Sequence, residues 1–166
     1  MPQSITHEKV LLDCQAEVEA FLGAARLLGD KLLCCCLQFG SFNRRAFASL
    51  GAFLDRLDPF LAAWPADVPV AVEVRNQTWM APELADCLRP HTAVWVLPDQ
   101  AWMPSPLSVV ERLDVVTGPF AYVRMAEPLG TRDGGRRLLS VTPPPVKSPA
   151  AGHRLLASPS AGGHNP

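Results

Sequence analysis

Apolar residues recur at helical spacing from Val10 to Leu28: Val10, Leu11, Cys14, Val18, Phe21, Leu22, Ala25 and Leu28 fall on one face, with Asp13, Glu17, Glu19 and Arg26 between them. The spacing predicts an amphipathic helix, with Thr6 as its cap, Glu8 in its first turn and Gly29 as its stop. Leu32 to Phe39 then runs apolar without alternation, which suits a strand covered on both faces. Asn43 reads as the cap of a second helix, in which Phe47, Leu50, Leu54, Leu57 and Leu61 repeat at three and four residues as far as Trp64-Pro65. Val70 to Arg75 alternates as a short strand, with Val70, Val72 and Val74 on one face and Ala71, Glu73 and Arg75 on the other. Pro82 opens a helix that Pro90 stops, Ala93 to Leu97 is a further buried strand, Ser105-Pro106 opens a short helix to Leu113, and Phe120 to Met125 is a fourth strand.

Helices alternating with apolar strands predict an α/β domain with a parallel sheet of about four β/α units, an open sheet or half of a (β/α)8 TIM barrel. The chain has 166 residues, enough for one domain, whereas complete barrels run to about 200–250. Beyond residue 125 the texture changes. Residues 126–166 hold seven Pro and six Gly, and carry a net charge of +3 against −4 for residues 1–125. Such a segment buries too little apolar surface to offset its ordering entropy, so the expected domain is 1–125, followed by a disordered tail.

Charge and motifs remove several function classes. With 15 basic and 16 acidic residues, the chain has no electrostatic footprint for nucleic acid or an anionic membrane. Its longest apolar run, Leu32 to Leu37, is far short of the roughly 20 residues a membrane-spanning helix needs. No apolar segment follows Met1 to Lys9 as in a secretory signal, so a cytoplasmic location is expected. The five cysteines, three of them adjacent at Cys34 to Cys36, lack metal-ligand spacing and read as free, buried, small hydrophobes. Neither a phosphate-cradling glycine loop nor a nucleophile elbow is present, and no metal or particular cofactor is indicated.

The remaining candidates are polar residues at the carboxyl ends of the strands, where parallel α/β folds gather functional groups. They are Gln38, Glu73, Arg75, Asp99, Tyr122 and Arg124. Period two puts Glu73 with Arg75, and Tyr122 with Arg124, on shared faces. Two guanidiniums, two carboxylates and an amide suit a small anionic or polyhydroxylated ligand. Glu73 and Asp99 are candidates for general acid/base work, and His7, at a strand-to-helix loop, is a third catalytic candidate. Trp79 reads as a ligand-stacking platform or as a plug of the barrel rim. The alternative for the charged set is an ion network in which Glu73 and its arginines satisfy only one another.

These residues also carry a resemblance. Pro2-Gln3-Ser4-Ile5-Thr6-His7, Leu28-Gly29-Asp30-Lys31-Leu32, Leu37-Gln38-Phe39, Ala71-Val72-Glu73-Val74-Arg75 with Trp79, Asp99, and Ala121-Tyr122-Val123-Arg124 resemble the YecE-like family, domain of unknown function 72. The resemblance implies a TIM barrel with a pocket at the strand ends, and it implies no particular reaction. Family members begin with a Gly-Thr-Ser-Gly-Trp type strand and two further strands before the segment ending in Thr-His, and Met1 falls inside that segment here. After Tyr-Val-Arg they continue to a His-Gly element and an eighth strand, whereas this chain runs Met125-Ala126-Glu127-Pro128. The expectation is therefore a barrel fragment whose intact form binds a small anionic or sugar-like ligand, with catalysis of an unspecified reaction left open. Two alternatives stay open: a non-catalytic phosphate, nucleotide or nucleic-acid binding protein, and a nonfunctional remnant. Open sheet edges would offer a route to self-association.

Overall fold

The computed structural model describes residues 1–125. The segment 126–166, expected from composition to be a disordered tail, lies outside the described residues.

Four strands, β1 (Cys35–Gln38), β2 (Val70–Glu73), β3 (Val94–Asp99) and β4 (Tyr122–Met125), form one parallel sheet in the order β1-β2-β3-β4. Helices α2 (Leu50–Ala62), α3 (Pro82–Leu88) and α4 (Pro106–Val110) lie in the three crossovers, and α1 (Gln15–Arg26) precedes β1. This is the expected α/β unit, and sequential parallel strands joined through helices are the arrangement of consecutive units in a (β/α)8 barrel.

Side chains alternate across the sheet. Leu37, Val70, Val72, Val74, Trp95 and Leu97 join the main core with Phe53 and Leu57 of α2 and Leu84 and Leu88 of α3. Ala71, Val94 and Val96 face the other way, packed with Cys34, Cys36, Phe120 and Tyr122. Every residue of β2 is buried on one face or the other, which is why a central strand shows little polar alternation. Where β4 approaches β3, the Thr117 hydroxyl accepts from the Trp95 N–H at 2.9 Å and donates to the Ala93 carbonyl at 2.6 Å. At the neighbouring Gly118, a Cβ would stand 2.8 Å from Val94 Cγ2 and 2.9 Å from the Thr92 carbonyl oxygen, so only glycine fits this approach.

Two expected helix starts are corrected. The first helix begins at Gln15, not near Val10, and Thr6 lies in a separate π-type turn, Ser4–Glu8. Between them Val10, Leu11 and Asp13 have φ of 44°, 69° and 46°, left-handed values that no helix accommodates. Such residues cost on the order of 1–3 kcal/mol each, and the offset here is burial: Val10 and Leu11 both enter the main core. The second helix starts at Leu50, where the Ser49 hydroxyl accepts from the Ala52 N–H. Asn43 does cap, but only a single turn, accepting from the N–H groups of Arg45 and Ala46. The first strand also starts later than its apolar run, because Leu32 and Leu33 precede the first paired residue, Cys35.

Among the described residues no helix is long and apolar enough to cross a membrane. All five cysteines are free.

Candidate functional site

Parallel pairing sets Gln38 beside Glu73 at the carboxyl ends of β1 and β2. The Phe39 N–H donates to the Glu73 carbonyl at 2.9 Å and holds the two ends together. The Glu73 side chain points to the face of Ala71 and is fully buried. A carboxylate cannot stay there without donors, and it has two: Arg75 Nε donates to Oε1 and Arg124 Nη1 to Oε2, each at 2.9 Å. Arg124 Nη1 also donates to Gln38 Oε1. One buried acid thus draws guanidiniums from β4 and from just beyond β2, with the β1 amide alongside. The Glu73 hydrogen bond pushes the pKa of Arg124 above its ordinary value.

Above this cluster lies a cavity of about 540 Å³ lined by His7, Gln38, Arg75, Tyr122 and Arg124, with Gln3, Thr6 and Cys36 among its other walls. The sequence candidates His7, Gln38, Arg75, Tyr122 and Arg124 therefore share one cavity, and Glu73 anchors both arginines. His7 Nδ1 is 2.8 Å from the hydroxyl of buried Thr6. Its ring lies over Gly40, where a Cβ would stand 3.4 Å from His7 Cδ2 and 3.5 Å from Nε2. The Thr6 contact engages one ring nitrogen and leaves Nε2 for other chemistry. Burial pushes the Cys36 thiol up to about 11, the nearby Glu73 charge adding to it, and burial also raises Tyr122.

Two candidates stand elsewhere. Asp99 pairs in register with Met125, one position beyond the pairing of Pro98 with Arg124. Strand alternation puts it with Trp95 and Leu97, on the helix side of the sheet and opposite to Glu73. Asp99 makes no side-chain hydrogen bond among the described residues, so no Glu73–Asp99 pair forms. Trp79 is buried, stacked on Phe53 at 4.9 Å between ring centroids and flanked by Phe42 and Phe47. It is a core residue on the helix side of the sheet and does not line the cavity.

Asn76 escaped the sequence reading. Its Oδ1 accepts from the Phe42 N–H at 2.8 Å and its Nδ2 donates to the Phe42 carbonyl at 2.7 Å, tying the loop after β1 to the residue following Arg75. An Asn directly after an end-of-strand Arg is a turn signal that could have flagged it. Thr6, expected as a helix cap, and Gln3 are not among the expected site residues, although they sit in the same segment as His7.

The family model described as "Protein of unknown function DUF72" matches residues 1–137. The chain belongs to this family. No curated protein and no solved structure matches it. The DUF72 match takes in every residue of the cavity and its anchor, and it runs past the boundary at 125 expected from composition. Membership accounts for the resemblance carried by Glu73, Arg75 and Arg124, and it brings no reaction with it.

Proposed function

We propose that this DUF72 chain binds a small anionic ligand at the carboxyl ends of its strands, with Arg75 and Arg124 as the anion contacts. One observation supports this most: two guanidiniums share a single buried carboxylate and both still line an open cavity. The cluster keeps a surplus positive charge in a chain whose net charge is −1, so the attraction is local. Among the described residues no acidic side chain lines the cavity. Gln38 and Tyr122 add uncharged polar contacts. Of the three acid/base candidates, His7 is the one left for proton transfer at this site, because Glu73 is occupied by its arginines and Asp99 lies across the sheet.

Isothermal titration of the chain with sulfate and with acetate at low ionic strength tests the reading. A saturable signal that is lost in Arg75→Ala, with the variant still folded by circular dichroism, is the expected result. Absence of saturable binding for either anion, or binding indifferent to Arg75, would remove it.

A further inference from the structure

The donors left over at the site narrow the class of anion, on the reading that this cavity binds one. A guanidinium carries five N–H groups in a planar fork. Arg75 spends only Nε on Glu73, so its two terminal nitrogens have no hydrogen-bond partner among the described residues. Arg124 spends Nη1 on both Glu73 and Gln38, which leaves its Nη2 and Nε edge. Each remaining edge is a pair of parallel donors, the arrangement that grips two oxygens of one centre at once.

Two such forks in one cavity offer more than a carboxylate can take. A carboxylate has two oxygens and satisfies one fork, whereas a phosphoryl group has three terminal oxygens and close to two charges at neutral pH. The cavity is also too large for the anion alone, since about 540 Å³ lies within the size range of sites for whole small molecules. Its other walls are mostly polar, with Gln3, Gln38, Thr6, His7 and Tyr122 outnumbering Met1 and Cys36. Gln38 has spent its carbonyl on Arg124, so its amide N–H groups are left for an acceptor. Walls of donors and hydroxyls match a hydroxylated body and would leave an apolar one unsatisfied.

We infer that the ligand is a phosphate monoester of a small polyhydroxylated compound, its phosphoryl group held between the forks of Arg75 and Arg124 and its hydroxyls facing Gln3, Gln38 and Tyr122. Glu73 serves as a positioning residue, fixing both forks from beneath without touching the ligand. Calorimetric titration of the full chain with glucose 6-phosphate and glycerol 3-phosphate, against their carboxylate counterparts glucuronate and glycerate and against inorganic phosphate, tests the inference.

At least one ester should bind tenfold or more tighter than its matched carboxylate, and tighter than inorganic phosphate. Arg124→Lys retains the charge and the reach to Glu73 but loses the planar fork. It should weaken the ester at least fivefold while unfolding as cooperatively as the parent chain. Carboxylates binding as tightly as the esters would overturn the phosphate assignment and leave the anion site standing. Inorganic phosphate binding as tightly as both esters would overturn the hydroxylated body. If no compound in the panel binds, the inference and the anion site fall together.

Discussion

Arg124 on β4 reaches past the intervening β3 to Glu73 on β2, with its Nη1 2.9 Å from the carboxylate Oε2. The β2–β3 register, in which Val72 pairs with Trp95, puts Val96 of β3 at the level of Glu73, and Val96 pairs with Tyr122. Its apolar side chain leaves Glu73 to the arginines. Glu73 is fully buried, while the side chains of Arg75 and Arg124 keep 22% and 43% of their exposure. Glu73→Gln turns an amide N–H₂ toward one of two guanidinium donors, and a mismatched buried polar group costs about 1–3 kcal/mol. Arg124→Ala removes the donor to Oε2 and leaves that oxygen of a buried carboxylate unpaired, so it should cost at least as much. Urea unfolding measures both, and an unchanged midpoint for Glu73→Gln would show that the cluster does not stabilise the fold.

Trp79 should report on the core and not on the ligand. Its ring packs against Phe42, Phe47 and Phe53, so Trp79→Ala should lose about 3–5 kcal/mol, the range for emptying a large aromatic site. Trp79→Phe keeps much of the volume and should bind anions as the parent chain does. A selective loss of anion binding in Trp79→Phe, with stability retained, would return this residue to the site.

Asn76→Ala removes both hydrogen bonds to the Phe42 backbone. At about 1 kcal/mol for each net hydrogen bond, and more where a buried group is left unpaired, a loss of roughly 2 kcal/mol is expected. Amide exchange at Phe42 should quicken in the variant, since its N–H loses its acceptor. Protection unchanged at Phe42 would mean that the loop is held by its aromatic contacts instead.

Alkaline pH should destabilise the fold through two thiols. Burial pushes Cys36 and Cys87 from the ordinary 9.0 up to about 11, so the folded chain keeps protons that the unfolded chain gives up. The stabilisation is present in full below about pH 9 and is lost as pH rises toward 11. The urea midpoint should fall across that window, and a Cys36→Ala, Cys87→Ala double variant should fall less steeply. Parallel curves for the two chains would exclude the thiols as the cause. The same protonation predicts slow alkylation of Cys36 by iodoacetamide near neutral pH, because the thiolate is the reactive form.

The strands and the central charged cluster were legible because both follow from period two. Once Val70, Val72 and Val74 are placed on the helix side, Glu73 and Arg75 must share the opposite face, and they do hydrogen-bond there. Period two puts Asp99 on the face of Trp95 and Leu97, but Ala93 to Leu97 is apolar on both faces, so only the structure shows that this face lies opposite to Glu73. Helix starts were harder to read. Apolar spacing at Val10 and Leu11 is compatible with a helix, and nothing in the residue types signals left-handed backbone at a Val and a Leu. Trp79 could not be assigned to core or ligand from its distance to Arg75, since that depends on Phe53, which lies on a different helix.

Sequential strand order has a consequence for how this chain comes into being. Synthesis delivers β1, β2 and β3 in turn, each beside the strand that preceded it, so the growing sheet can add units as they emerge. The charged cluster does not follow that local logic. Its contacts from Arg124 span 51 residues to Glu73 and 86 to Gln38, and long loops of this kind close late. A nascent chain halted before Tyr122 would hold Glu73 against Arg75 alone, with one fork in place of two. On the proposed function, capture of an anion by both arginines would then signal that β4 has docked, and ligand affinity would read out that step of folding.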